Sequence, residues 1–176
     1  MSVQSITLGG GCFWCLEAVY ELVDGVTAVE SGYCNGHLMQ PSYEQVCGGD
    51  TGHAEVVRVS FEDSRISLRE VLEIFFHIHD PTTSNRQGND VGTQYRSGVY
   101  LHDAAQEGMV REVLAEVNAA TGGRVVTEVQ PRTNYSKAEA YHQHYIANHP
   151  AAGYCAYVVA PKVEKFKRTF KARVKA

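Results

Sequence analysis

The stretch Ala54–Glu62 narrows the fold more than any other part of this chain. Val57, Val59 and Phe61 fall on one face of an extended segment, and Arg58, Ser60 and Glu62 fall on the other. That period-two alternation belongs to a β-strand with one buried side. Glu55 lies on the apolar face with the valines. Desolvation there is expected to raise its pKa and keep it protonated near neutrality. Immediately downstream, Ser67-Leu-Arg-Glu70 has the form of a capping box. It opens an apolar helix through Val71, Leu72, Phe75, Phe76 and Ile78 that stops before Pro81.

The flanking sequence supplies the remaining elements. Val3–Leu8 reads as a strand ending in Gly9-Gly10-Gly11, and from Phe13 the residues Leu16, Val19, Tyr20 and Val23 recur at helical spacing until Asp24-Gly25. Val26–Tyr33 reads as a second strand, followed by a loop from Asn35 to Gly52. After a polar loop, Thr82–Thr93, a strand is expected around Arg96–Leu101. Asp103 then caps a helix carrying Val110, Val113, Leu114 and Val117, with Gly122-Gly123 beyond it. Val125–Val129 is predicted as the last strand. Ser136-Lys-Ala-Glu139 reads as a second capping box, starting a short helix that ends before Pro150, with Cys155 in an irregular stretch after it. Strand, helix, strand, strand, helix, strand is the order of a split β-α-β, ferredoxin-like core. The predicted fold is therefore α+β: a two-layer sandwich with a mixed sheet and C-terminal extensions, in one domain over residues 1–176.

Composition excludes several roles. The formal net charge of -4 over 176 residues gives no general attraction to nucleic acid or anionic membranes. The charge is uneven, because Lys162, Lys165, Lys167, Arg168, Lys171, Arg173 and Lys175 sit in a tail from Pro161 to Ala176 that has only Glu164 against them. Such a tail is expected to be a solvated helix face. The N-terminus has neither the basic nor the apolar region of a secretion signal, and no stretch is apolar enough to span a bilayer. Five unevenly spaced cysteines do not suit a structural disulfide framework. Thiols in a reducing compartment, the cytoplasm, fit them better.

Cys12 follows three glycines at a strand-to-helix turn. Unpaired N–H groups and the positive end of the helix dipole favour a thiolate there, which is expected to lower the pKa toward neutrality and make the sulfur nucleophilic. Phe13 and Trp14 come next, and Trp14 is the chain's single tryptophan. Adjacent aromatics at a helix start cannot both enter one core, so at least one is expected to line a pocket.

At this point the sequence resembles the methionine sulfoxide reductase A family. The resemblance rests on Gly11-Cys-Phe-Trp14, Gly48-Gly-Asp-Thr-Gly-His-Ala-Glu55, Gln87-Gly-Asn-Asp-Val-Gly-Thr-Gln-Tyr-Arg-Ser97, Tyr141-His-Gln-His-Tyr145 and Gly153-Tyr-Cys155. It covers nearly all the chain except the basic tail. It implies an α+β sandwich that reduces methionine-S-sulfoxide, free or in proteins, with no cofactor or metal. Cys12 matches the family nucleophile and Glu55 its acid. Tyr43 and Tyr95 match the tyrosines that hold the sulfoxide oxygen. Asp90 matches the aspartate at the substrate main-chain N–H, and Phe13 and Trp14 match the aromatic wall around the sulfur's methyl group. A sulfenic acid on Cys12 would be resolved by Cys155, and thioredoxin would reduce the resulting disulfide. A monomer repairing oxidised proteins is the expected form.

The chain departs from many relatives in carrying Cys15 after the tryptophan. Cys12 and Cys15 form a C-x-x-C, so Cys15 is an alternative resolving thiol, and a thioredoxin-like disulfide oxidoreductase is the competing enzymatic reading. Cys34 and Cys47 are expected to fill packing positions. His77/His79 and His142/His144 are each two residues apart and diverge on a helix, and no second close cysteine pair completes a zinc site. A small zinc-binding module is the non-enzymatic alternative. The glycine clusters match no phosphate-binding loop.

Overall fold

A computed structural model describes residues 2–149, 153 and 155–175. The elements are β1 (Val3–Gly9), α1 (Phe13–Tyr20), β2 (Val26–Cys34), α2 (Tyr43–Cys47), β3 (Ala54–Glu62), α3 (Leu68–Ile78), β4 (Arg86–Gln87), β5 (Asp90–Val91), β6 (Gly98–Leu101), α4 (Glu107–Ala120), β7 (Glu128–Pro131), β8 (Ser136–Lys137), α5 (Tyr145–Asn148) and α6 (Ala160–Thr169). Six strands form one sheet in the order β7-β6-β1-β3-β2-β8, and β4 with β5 makes a separate small hairpin. The sheet is mixed: β6 and β7 run parallel, and the other neighbours run antiparallel.

The alternation in β3 is realised in space. Val57, Val59 and Phe61 are fully buried, and they join Ile6, Leu8 and Val99 with side chains of α1, α3, α4 and α6 in the main core. The opposite face carries a much smaller cluster of Cys34, Ala54, Val56 and Tyr100, with Tyr135 packed on it. Covering one face of the sheet with helices removes its apolar side from water, at roughly 25 cal/mol per Å² of apolar surface. Register then sets the site. Leu8 pairs with Val57 and Tyr33 pairs with Glu55, so the end of β1, the start of β3 and the end of β2 meet at one end of the sheet.

Two helices keep their sequence signals. Ser67 caps α3, its hydroxyl accepting from the Glu70 N–H at 3.1 Å while the Glu70 carboxylate accepts from the Ser67 N–H at 3.3 Å. The Asp103 carboxylate accepts from the Ala105 N–H at 2.9 Å and caps a 3-10 turn, Ala104–Gln106, that runs directly into α4.

Six expectations need correction. The first helix ends at Tyr20. Beyond it the chain tightens into bonds from the Leu22 and Val23 N–H groups to the Val19 and Tyr20 carbonyls, and Val23 forms a bridge with Val174. The Asn35–Gly52 loop contains α2, whose capping box is Ser42 with Gln45. The Thr82–Thr93 loop contains the β4–β5 hairpin. The last strand of the Val125–Val129 prediction starts later, because the Val125 and Val126 N–H groups are held by the Asn118 side chain and the Pro81 carbonyl. Ser136-x-x-Glu139 is not a helix cap: Ser136 and Lys137 form β8 against β2, and α5 covers Tyr145–Asn148 alone. Cys155 begins a π-helical turn, Cys155–Val159, rather than an irregular stretch. The basic tail forms α6, which buries Phe166 and turns Lys167 and Arg168 toward solvent. Among the described residues no helix is long and apolar enough to cross a membrane.

Candidate active site

The triglycine bend is required by what surrounds it. A Cβ at Gly10 would lie 2.8 Å from the His79 ring, and Gly11 has φ +87°, a conformation that L side chains rarely adopt. The Gly11 N–H donates to the Tyr95 carbonyl at 3.2 Å, tying the 3-10 turn Thr93–Tyr95 to the bend. Cys12 follows as the N-cap of α1 with only 6% exposure. The N-cap side chain makes no capping hydrogen bond, and the first N–H of the helix, on Phe13, donates instead to Glu55 Oε1 at 3.3 Å. The helix end that faces the thiol therefore also holds the carboxyl.

Glu55 is 1% exposed, and its Oε2 has no hydrogen-bond partner among the described residues. Burial raises its pKa to about 8; the Phe13 N–H opposes the shift and the Asp90 charge adds to it. At neutral pH the carboxyl is mostly protonated, as the β3 alternation implied.

Tyr43 opens α2 and Tyr95 closes the 3-10 turn. Burial holds both phenols above the usual tyrosine range, followed by the negative charge of Glu55, and Cys12 contributes to each. The two hydroxyls, the carboxyl and the sulfur thus lie near enough to act on one another electrostatically, with Asp90 on the β4–β5 hairpin acting on both Glu55 and Tyr95. Phe13 is wholly buried, 5.7 Å from the Tyr33 ring and stacked toward Tyr43 at 6.4 Å. Trp14 is half-buried, stacks on Tyr145 at 3.9 Å and donates its indole N–H to His142 Nδ1 at 3.1 Å. The side chain of Cys155 lies outside the described residues.

Three residues were not assigned to this site by sequence reasoning. Glu139 accepts from the Tyr33 hydroxyl and the Tyr43 N–H, each at 2.9 Å, and so anchors α2 beside α1. Burial pushes Glu139 up, but these hydrogen bonds outweigh it and hold the group below the usual carboxylate range. Its resemblance to a capping-box glutamate hid this role. His142 is buried and 4.3 Å from the Tyr43 ring, and desolvation lowers its pKa against the opposing charges of Glu139 and Glu44. Cys47 was expected in a packing position. It is exposed at the end of α2, one turn from Tyr43, with whose hydroxyl it shares a hydrogen bond. Ser42-x-x-Gln45 was the signal that would have placed α2, and with it Cys47, at the site. Cys34 is buried as expected, its thiol pushed up to about 12 by burial. Cys15 is also buried, inside α1.

Among the described residues, Glu17, Glu21 and His144 bring carboxylate and imidazole atoms within 4.8 Å of one another. These groups satisfy each other and their neighbours: the Ser31 hydroxyl donates to Glu17 at 3.3 Å, and His144 pairs with Glu21.

A thiol at a helix N-terminus, set against a neutral acid, is the equipment of an oxidoreductase that works through sulfur, and this α+β fold presents it at one end of its sheet. Comparison with known proteins narrows that class. The family model described as peptide methionine sulfoxide reductase matches residues 4–174. A peptide methionine sulfoxide reductase MsrA of Saccharolobus solfataricus is 53% identical over 173 residues, covering 98% of each chain. The crystal structure of reduced Mxr1 from Saccharomyces cerevisiae is similar with a TM-score of 0.83 and 42% identity, over 87% of this chain and 89% of that one. Mxr1 in complex with Trx2 is similar with a TM-score of 0.59 and 30% identity, over 81% and 84%. The chain belongs to the peptide methionine sulfoxide reductase family.

Proposed function

We propose that the protein reduces the S epimer of methionine sulfoxide, free or in polypeptides, through Cys12. The observation that carries this reading is the contact of Glu55 with the first N–H of α1, next to Cys12, with the second carboxyl oxygen left without a partner. A sulfoxide sulfur is a weak electrophile, and its oxygen leaves poorly until protonated. The helix end stabilises negative charge on Cys12 Sγ, which attacks the sulfoxide sulfur. Neutral Glu55 delivers a proton as charge grows on the oxygen. The hydroxyls of Tyr43 and Tyr95 stabilise that oxygen as oxyanion-hole donors do. Phe13 and Trp14 receive the methyl group on sulfur, and Asp90 takes the substrate's main-chain N–H. Methionine leaves as the thioether, the oxygen passes to sulfur, and Cys12 becomes a sulfenic acid.

A second thiol then attacks the sulfenic sulfur, releasing water and forming a disulfide. We assign this step to Cys155. The burial of Cys15 inside α1 weighs against the alternative. A dithiol returns both cysteines to thiols; thioredoxin is the proposed reductant, in keeping with the relative crystallised with Trx2. The sheet order β6-β1-β3-β2 supports a ferredoxin-like, two-layer reading of the centre. Repair of oxidised proteins by a single-domain cytoplasmic monomer completes the proposal.

Racemic dabsyl-methionine sulfoxide with dithiothreitol separates the readings. At most half should become thioether, and Cys12→Ser should convert none. Reduction of insulin disulfides in place of the sulfoxide would favour the rival oxidoreductase built on Cys12 and Cys15, and stoichiometric zinc would favour the binding module.

A further inference from the structure

We infer that the cleft between the end of α3, the β4–β5 hairpin and α6 receives the polypeptide flanking the oxidised methionine and favours acidic residues there. The inference rests on the sulfoxide reductase reading above. The cavity encloses about 740 Å³, within the range of roughly 300–1,000 Å³ typical of ligand clefts.

Its position follows from residues it shares with the catalytic pocket. Gln87 lines the cleft, and its side chain backs directly onto the triglycine bend, where a Cβ on Gly11 would come within 2.9 Å of it. The Gln87 amide also fixes the far wall, its oxygen accepting from the Asp80 N–H at 2.9 Å. Asp90 lines the same cavity and acts electrostatically on Glu55 and Tyr95. A sulfoxide held at Cys12, with its main chain at Asp90, would therefore continue into this space.

The walls carry a specific chemistry. Lys162 and Lys165, three residues apart on α6, line the cleft, and neither has an ion-pair partner among the described residues. They lie close enough to the opposite wall to act on His79 and His77 respectively. Of the acids present, Asp80 is tied up locally by the Thr82 N–H at 2.9 Å and by the Thr82 hydroxyl. Asp90 stands at the inner end. Tyr157, 86% exposed, offers an aromatic surface at the rim beside the lysines. The outer part of the cleft thus suits an extended segment with carboxylate side chains.

The test compares free methionine sulfoxide with matched peptides carrying glutamate, glutamine or lysine at the positions flanking the sulfoxide, with dithiothreitol as reductant. Wild-type protein should show a KM at least about threefold lower for the glutamate peptides than for the lysine peptides, and the difference should shrink as salt rises. Lys162→Glu/Lys165→Glu should reverse that order, and Lys162→Gln/Lys165→Gln should level it. Both variants should keep the wild-type kcat/KM for free methionine sulfoxide, which also reports that they fold. Equal KM values across the peptides in wild type, or a preference untouched by the lysine changes, would overturn the inference while leaving the activity on free sulfoxide standing. Failure to reduce free and peptide sulfoxide alike would instead sink the reading on which it rests.

Discussion

Glu55 can act as an acid only while its surroundings keep it neutral. Its pKa of about 8, raised by burial, predicts that the single-turnover rate falls as pH rises through about 8 and the proton is lost. Glu55→Gln should lower the rate by ~10²-fold or more and abolish that alkaline limb. Stability supplies an independent check. A carboxyl whose folded pKa lies above its unfolded value contributes stability that is complete below the unfolded value near 4.5 and is lost as pH rises to about 8. Glu55→Gln should therefore raise Tm relative to wild type at pH 8.5, by the equivalent of a few kcal/mol at most, with the gain fading toward pH 5. An unchanged rate would remove Glu55 as the acid. This residue was legible in the sequence because one alternating strand fixes which side chains share a face. Cys12 was legible for a similar local reason, since the glycines and the helix start adjoin it.

At the scale of elements, the catalytic tyrosines are proposed to work as a pair delivered by two short turns. Tyr43→Phe and Tyr95→Phe should each lower kcat on the order of tenfold to 10²-fold, less than the loss of a sole oxyanion donor, because one hydroxyl remains. The double variant should lose distinctly more than either single, measured with saturating dithiothreitol. Glu139 holds α2 from outside the reaction, through the Tyr43 N–H and the Tyr33 hydroxyl. The elements that sequence missed have different causes. Residues 136–149 take their shape from distant partners, as when Ser136 pairs with Tyr33 on β2, whereas α2 carries a local capping box in Ser42 and Gln45 and β4–β5 is a hairpin of two-residue strands too short for an alternating pattern. A four-residue pattern such as Ser136-x-x-Glu139 cannot distinguish a helix cap from a side chain reaching across the fold. In β3 and α3 local preference and tertiary packing agree, and there the boundaries were recovered closely.

The whole molecule closes through its tail. Phe166 is fully buried on α6, Val174 pairs with Val23, and Arg173 forms an ion pair with Glu70 at the start of α3. Phe166→Ala should destabilise the protein by about 3–5 kcal/mol, read as a lower urea midpoint. A surface change such as Lys167→Ala on the same helix should stay within about 0.5 kcal/mol of wild type. The basic tail is thus a structural strap with a solvated face, and its lysines at the cleft are the part assigned a role in binding.

The most direct measurement is a single turnover of Cys155→Ser with a methionine-S-sulfoxide peptide in the absence of reductant, with dimedone trapping and mass spectrometry of every cysteine. One methionine should form per protein chain, with one dimedone adduct on Cys12. Methionine formed with the adduct on Cys15, Cys34 or Cys47, or with no sulfenic acid on any cysteine, would contradict Cys12 as the atom that takes up the oxygen.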